Sequence, residues 1–112
     1  MYARTVFFKT VKPNDRITLT EFFHAVAGNS MYNSMTEELI ATTGFLRKEL
    51  IMLDTKDGCH TSTRVIFEDK ESFDNYVTND TYEMIWEYLQ ISAEGVGILV
   101  TFEDSEIDNI NG

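Results

Sequence analysis

Four stretches of the chain are predicted to be β-strands, in which the two-residue period of side-chain direction divides the residues between two faces. They comprise residues 1–11, 44–54, 60–69 and 96–103. In the first stretch, this period places Arg4, Val6 and Phe8 on one face and Phe7 on the other. Turn-forming residues join the second stretch to the third, so we expect a β-hairpin around 55–58.

Between the strands, apolar residues recur with the period of an α-helix, but the first helical segment contains two apolar sets that are out of phase. In one continuous helix the two sets would lie on roughly opposite faces. The first set is Leu19, Phe22, Phe23 and Val26, and the second is Met31, Met35 and Leu39. We therefore predict two helices, at about 19–28 and 35–43, with a bend from Gly28 to Asn33. A π-bulge would produce the same change of phase.

Capping motifs predict where the helices begin and end. Three capping boxes, each a Ser, Thr or Asp followed three residues later by Glu, occupy 18–21, 34–37 and 80–83. Asp69 is placed to cap a further helix over 70–77, and Gly44 to end the second helix in a left-handed conformation.

The predicted order of elements is strand, helix pair, strand, strand, helix pair, strand. This is the βαββαβ arrangement of ferredoxin-like α+β folds. Right-handed crossovers then give a four-stranded antiparallel sheet with all helices on one face. We expect residues 1–103 to form this single domain and the acidic segment 104–112 to be a flexible tail.

The strands carry large apolar groups on both faces, although helices can cover only one of them. Both parities are apolar at Phe7 and Phe8 and in the segments 50–53, 65–67 and 98–100. A second sheet would bury the remaining face, most simply the sheet of another copy related by a two-fold axis. We therefore predict a homodimer in which the two sheets form an α/β barrel.

Composition narrows the class of partner. The 112 residues carry a formal net charge of -10, which disfavours nucleic-acid binding because phosphates would be repelled. No apolar run approaches the length of a membrane span, and the first residues do not resemble a signal peptide. Cys59 is the single cysteine, so no intrachain disulfide forms and a reducing, cytoplasmic location fits.

Three segments together resemble the antibiotic-biosynthesis-monooxygenase type of dimeric α/β barrel. They are GFLRKELIML, TSTRVIFEDKESFDNYVTND and VGILVTFE, and the similarity extends over roughly residues 2–103. The resemblance implies a pocket between sheet and helices in each subunit, without a particular activity. Members of the superfamily include cofactor-free oxygenases acting on quinol-like polyketides, haem-degrading oxygenases, isomerases, and proteins of no known reaction.

The haem-degrading branch of this superfamily has an Asn on the first strand, a Trp on the third strand and a haem-binding His on a later helix. Here RTVFFKTV has no Asn, HTSTRVIF has no Trp, and residues 70–91 contain no His. We therefore expect no haem and no other cofactor. The cofactor-free branch has no strict motif that this sequence could match or miss.

His24, Tyr32 and Trp86 are candidate site residues. His24 lies just before the predicted bend and titrates near neutrality, so it is a candidate acid–base group; the alternative is a solvent-exposed histidine. Tyr32 lies within the bend, where it would either line a pocket mouth or fill the edge of the core. Trp86 would either stack on a flat ligand or belong to the core of its helix.

Arg4 and Arg64 interrupt apolar strands, and a buried charge is costly unless it is paired. Either arginine would bind an anionic ligand or form a salt bridge with Glu49, Glu68 or Glu103. No metal site is predicted, because two histidines 36 positions apart and one cysteine match no zinc-binding spacing.

Two interpretations of function remain open. In the first, a cofactor-independent monooxygenase or isomerase acts on an aromatic or polyketide-like compound, with His24 catalytic and Tyr32, Arg64 and Trp86 shaping the pocket. The family resemblance favours this interpretation. In the second, a non-catalytic dimer binds a small hydrophobic ligand or serves only assembly, and the sparse set of polar candidates favours it.

Overall fold

The computed structural model describes residues 1–12, 15–42, 45–55 and 58–107, and within 42–59 it describes the side chains of Lys48 and Glu49 only. The described elements occur in the predicted βαββαβ order, with a helix pair in each crossover. They are β1 (Tyr2–Thr10), α1 (Arg16–Ala27), α2 (Ser30–Thr42), β2 (Phe45–Thr55), β3 (Gly58–Phe67), α3 (Lys70–Val77), α4 (Asp80–Glu94) and β4 (Ile98–Glu106).

The four strands form one antiparallel sheet in the order β2-β3-β1-β4, which confirms the ferredoxin-like α+β prediction. The register aligns four residues from the four strands in a single line across the sheet. Lys48 lies beside Val65, Val65 beside Arg4, and Arg4 beside Asp104. This line, which we call the charged row, crosses the face that the helices cover.

The helices cover one face of the sheet, which we call the helix face; the other is the open face. On the helix face Val6, Phe8 and Phe67 are buried, as the parity of β1 and β3 predicts. Two apolar clusters fill the space beneath the helices, one around Phe8 and the other around Phe67. Three residues contact both clusters: Tyr32, Trp86 and Leu89.

The described part of the open face carries both polar and apolar side chains. Its polar side chains on β1, β3 and β4 include Thr5, Lys9, Ser62, Arg64, Thr101 and Glu103. Its apolar residues on these strands include Ala3, Phe7, Ile66 and Leu99, of which Ala3 and Ile66 are fully buried. Leu99 is 57% exposed.

Helices α1 and α4 begin before their predicted capping boxes. Asp15 caps α1, accepting hydrogen bonds from the Thr18 N–H at 3.2 Å and the Thr18 hydroxyl at 2.6 Å. Asn79 caps α4 by accepting from the Thr81 N–H at 2.8 Å. Each junction contains several residues able to cap, and the predicted box was the wrong choice. Asp69 does cap α3, as predicted.

The break between α1 and α2 is real but shorter than predicted. Asn29 accepts a hydrogen bond from the Tyr32 N–H at 2.8 Å, so α2 begins at Ser30 and the capping box at 34–37 is wrong. Asn33 adds a side-chain hydrogen bond to the Ala27 carbonyl at 2.8 Å. Two residues therefore produce the change of phase, because the Asn29 side chain restarts the helix at once.

Strand β4 continues into the segment that was predicted to be a flexible tail. Residues 104–106 pair with β1, from Asp104 opposite Arg4 to Glu106 opposite Tyr2. The Ile107 N–H donates to the Met1 carbonyl at 2.9 Å. Because this segment is acidic, its strand positions were predicted to belong to a tail. Their carboxylates project from an edge strand. The rest of the tail, 108–112, the helix end at Gly44 and the turn centre at 56–57 lie outside the described residues.

Candidate functional site

A cavity of about 250 Å³ lies between the helix face and the helices. Most of its wall is apolar or aromatic, with Phe8, Phe23 and Trp86 among the contributing rings. Its polar groups come from five different elements, and they are Tyr32, Asn33, Thr36, Lys48, Thr63, Tyr76 and Tyr82. The lining thus combines neutral hydroxyl and amide groups with one amine.

The break between α1 and α2 positions Tyr32 on the cavity wall. Capping by Asn29 fixes the first turn of α2, in which Tyr32 is the third residue. The Tyr32 ring then packs on Tyr88 with centroids 5.4 Å apart, and the Asn29 amide donates to the Tyr88 hydroxyl at 3.3 Å. The break is therefore attached to α4 and forms one side of the cavity.

Helix α4 contributes another part of the wall through residues spaced about one turn apart. Tyr82, Ile85, Trp86 and Leu89 line the cavity at positions that share one helical face. The Trp86 and Tyr82 rings stack at 6.3 Å with an interplanar angle of 20°. Phe102 of β4 meets the Trp86 ring edge-on at 5.4 Å. This packing holds the indole as a flat surface beside the cavity.

The three cavity tyrosines stay protonated near neutrality. Burial raises the pKa of Tyr32, Tyr76 and Tyr82 above the ordinary value of a phenol. For Tyr82, a hydrogen bond from the Arg4 guanidinium at 2.9 Å opposes this rise in pKa without cancelling it. The three phenols are therefore hydrogen-bond donors toward a ligand and not bases.

Lys48 is the basic group of the described cavity lining. It lies on β2 beside Val65, a residue of the helix face that also lines the cavity. Although the side chain reaches solvent at the cavity edge, the protein around its ammonium group displaces water and lowers the pKa of Lys48. Among the residues that the structure describes, no carboxylate forms an ion pair with this amine.

Arg4, the second cation of the charged row, donates hydrogen bonds from all three guanidinium nitrogens. Its Nε and Nη2 donate to the two Asp104 carboxylate oxygens at 2.7 and 2.9 Å, and its Nη1 donates to Tyr82. The guanidinium carbon also lies 4.1 Å from the centroid of the Phe102 ring. Burial acts to lower the pKa of Arg4, but the hydrogen bonds to Asp104 and Tyr82 outweigh it and raise the pKa.

Two of the four predicted site residues line the cavity and two do not. Tyr32 and Trp86 are part of the wall. His24 is exposed on α1, because the inward positions of that helix near the cavity are Phe23 and Val26. Arg64 lies on the open face, where its Nη1 is 3.9 Å from a Glu49 carboxylate oxygen, as the salt-bridge alternative predicted.

Neither Lys48 nor Asp104 was predicted from the sequence to contribute to the site. The parity of Lys48 within FLRKELIML, opposite the apolar strand VIF, was a signal for a lysine on a covered face. Because Asp104 was predicted to lie in the tail, it was not among the predicted salt-bridge partners of Arg4. Within the described residues, no cluster of three His, Cys, Asp or Glu could hold a metal ion, and no helix is long and apolar enough to cross a membrane.

No protein-family model matches this sequence, and no curated protein matches it. Solved structures, in contrast, match over nearly the whole chain. The cofactor-independent oxygenase SnoaB from Streptomyces nogalater is 13% identical over 96% of this chain and 94% of its own, with a TM-score of 0.55. A candidate antibiotic biosynthesis monooxygenase from Bacillus cereus is 14% identical over 97% and 93%, with a TM-score of 0.60.

A dimeric ferredoxin-like protein from an uncultured marine organism is 12% identical over 97% of this chain and all of its own (100%), with a TM-score of 0.62. Identities this low are evidence of a common fold only. The predicted resemblance is thereby confirmed at that level: the chain has the ferredoxin-like fold found in antibiotic-biosynthesis-monooxygenase-like proteins.

Proposed function

We propose that this protein binds an aromatic or polyketide-like molecule in the cavity and converts it by cofactor-independent oxygenation or isomerisation. The observation that carries the proposal is the cavity itself: an aromatic-walled space of about 250 Å³ with phenol donors and one amine. A mostly apolar wall with a few convergent polar groups is the usual composition of a small-molecule site. The net charge of -10 also supports a small molecule over a nucleic acid.

The size of the cavity sets the size of the ligand. A protein cavity of roughly 150 Å³ is enough to hold benzene. At about 250 Å³ this cavity suits a compound of two fused rings, with larger polyketides extending past its open edge. The flat indole of Trp86 favours a planar ligand, because stacked aromatic rings add to the energy of apolar burial.

The reaction class is supported by the fold comparison. SnoaB, which shares the fold, is a cofactor-independent oxygenase. A second candidate function, a non-catalytic small-molecule carrier, is favoured by the exposed position of His24, which leaves the cavity without the predicted acid–base residue.

Ligand binding is testable through the protein's own fluorescence, since Trp86 is the single tryptophan and lines the cavity. We expect 2-naphthol and related bicyclic aromatics to change Trp86 emission saturably. Ala27→Phe, which places a ring at the cavity wall, should weaken binding at least about tenfold, or about 1.4 kcal/mol. Ala25→Phe is the matched control, because Ala25 is equally exposed on α1 but lies off the cavity.

Oxygen uptake then separates the two functions. Metal-free protein incubated with quinol-like bicyclic compounds should consume oxygen under the oxygenase proposal, and the Ala27→Phe variant should do so more slowly. Saturable binding without uptake or isomerised product would support the carrier. Emission that does not respond to any aromatic compound, or responds equally in both alanine variants, would contradict the site.

We also propose that the protein is a cytoplasmic homodimer joined through the open faces. One neighbour in fold is a dimeric ferredoxin-like protein. In this chain the exposed Leu99, with Phe7 nearby on β1, offers apolar surface for such a contact. The single Cys59 fits a reducing compartment.

Paired acidic substitutions test the interface. Leu99→Glu should convert dimer to monomer in sedimentation velocity, because it buries a charge between the sheets. Ile91→Glu makes the same change at a 61% exposed residue of α4 and should leave the dimer intact. A wild-type monomer, or dimers unaffected by Leu99→Glu, would contradict this interface.

A further inference from the structure

We propose that Lys48 takes the proton of an acidic hydroxyl group on the ligand and then holds the resulting oxyanion as an ion pair. The substrate class is thereby narrowed to aromatic or enolised compounds with an ionisable hydroxyl on or beside the rings. This inference rests on the proposed function, because it requires the cavity to hold a ligand.

The charged row supplies the first argument. Lys48 and Arg4 lie on the same line across the helix face, separated by Val65, so their backbones are about 10 Å apart. Asp104, the carboxylate of this row, is occupied by two hydrogen bonds from Arg4. Glu49, the chain neighbour of Lys48, has the opposite parity and contacts Arg64 on the open face. The row thus supplies an acidic partner for Arg4 and none for Lys48.

The groups that line the cavity together with Lys48 also fit an anionic ligand. The titratable groups of the described lining are the phenols of Tyr32 from α2, Tyr76 from α3 and Tyr82 from α4. All three remain protonated near neutrality, so they donate hydrogen bonds and carry no charge. Three neutral donors, one amine and no described carboxylate complement an oxygen anion.

The proposed step is a proton transfer in which atoms and charge balance. The O–H bond of the ligand breaks, an N–H bond forms on the neutral Lys48 amine, and the products are an ammonium ion and a phenolate or enolate. The surrounding protein lowers the pKa of Lys48, which increases the fraction of neutral amine available as a base. Once formed, the ion pair is strengthened by the low polarity of the cavity wall.

The experiment compares 2-naphthol with 2-methoxynaphthalene, which has the same rings and no acidic proton. Binding is followed by Trp86 emission, and ionisation by the long-wavelength absorption of the naphtholate, at a pH about one unit below the pKa of 2-naphthol. We expect bound 2-naphthol to show the naphtholate band in the wild type. Lys48→Met should reduce the band to the intensity of free 2-naphthol at that pH and weaken 2-naphthol binding at least about tenfold, or about 1.4 kcal/mol.

Two controls isolate the amine. Lys12→Met removes the same charge from an exposed residue off the cavity and should behave as the wild type. Binding of 2-methoxynaphthalene should be nearly equal in the wild type and Lys48→Met, which shows that the cavity is intact in the variant.

The outcomes distinguish this inference from the proposed function. A naphtholate band that stays above the intensity of free 2-naphthol in Lys48→Met, or an equal loss of affinity for the two compounds, would overturn the role of Lys48. Wild type that binds the methyl ether but does not ionise 2-naphthol would also overturn it and leave the cavity as a ligand site. If neither compound alters Trp86 emission, both proposals fail together.

Discussion

Arg4 and Lys48 project from the same face of the sheet but make different side-chain contacts. Both project from the helix face on the charged row, one on the central strand and one on an edge strand. Arg4 makes three hydrogen bonds and lies over an aromatic ring, whereas Lys48 borders a cavity with no described acidic partner. The difference indicates that Arg4 serves the stability of the fold and Lys48 serves a ligand.

The two cations also respond to burial in opposite ways. Both lose solvent, which acts to lower the pKa of each. At Arg4 the hydrogen bonds to Asp104 and Tyr82 reverse the effect and raise the pKa. At Lys48 desolvation lowers the pKa. A charge that the fold leaves unpaired at a cavity is a reasonable mark of a functional site.

The largest expected effect is that of Arg4→Met. This change leaves the Asp104 carboxylate and the Tyr82 hydroxyl without their donor, and removing one partner of a buried pair costs about 3–5 kcal/mol. Asp104 keeps 27% of its side-chain exposure, so we expect a loss below that range, about 2–3 kcal/mol, in urea unfolding. Arg64→Met, at an exposed ion pair on the open face, should change stability by less than about 0.5 kcal/mol. Equal losses in the two variants would remove the distinction between a paired interior cation and a surface one.

Lys48→Met should act in the opposite direction and raise the free energy of unfolding by up to about 1 kcal/mol. The substitution removes the cost of placing an ammonium group beside apolar side chains and keeps a side chain of similar length. Urea unfolding of both proteins at neutral pH measures the difference. A clear loss of stability would mean that the amine has a structural partner.

The stability difference between Lys48→Met and the wild type should also depend on pH. The pKa of folded Lys48 lies below its ordinary value of 10.5, so between the two values the unfolded chain binds more protons and stability rises with pH. The cost of the partly desolvated ammonium is fully present below the folded pKa and vanishes above 10.5. The stability advantage of Lys48→Met should therefore be largest at neutral pH and decrease in alkaline buffer. An advantage that is independent of pH would assign it to packing and not to charge.

The smallest expected effect concerns a neutral polar group. The hydroxyl of Thr61 on β3 is fully buried and has no hydrogen-bond partner among the described residues. Thr61→Val keeps the shape and removes the unsatisfied oxygen, so a gain of about 1 kcal/mol is expected in thermal or urea unfolding. Ser62→Ala on the opposite face of the same strand is the control and should be nearly neutral. A loss at Thr61→Val would show that the hydroxyl is satisfied.

Local periodicity predicted the order and type of the elements. It did not predict the residues at which three of the helices begin. Strand parity correctly separated Val6 and Phe8 from Phe7, because side chains alternate wherever a strand forms. Capping residues were wrong at three junctions, since Asp15, Asn29 and Asn79 compete with other residues able to cap. The choice depends on where tertiary packing places the first buried turn.

The site was predicted only where one helix determines it. Tyr32 and Trp86 line the cavity, whereas the sequence had left each of them open between a pocket wall and the core. The orientation of α1 determines whether Phe23 or His24 faces the cavity. Consecutive helix residues point about 100° apart, and Phe23 is the one that lines the cavity. The parity of Lys48 was a sequence signal, but its alignment with Val65 and Arg4 required the cross-sheet register, which joins residues far apart in sequence.

The central position of β1 has a consequence for the order of assembly. This strand leaves the ribosome before the other elements of the sheet, yet its two neighbours are β3 and β4, and the Arg4–Asp104 contact spans 100 positions. Contacts of such long sequence separation slow folding, because a large loop must close before they form. During synthesis both edges of β1 therefore remain unpaired until β3 and β4 are made, and the sheet is completed only after β4 has left the ribosome.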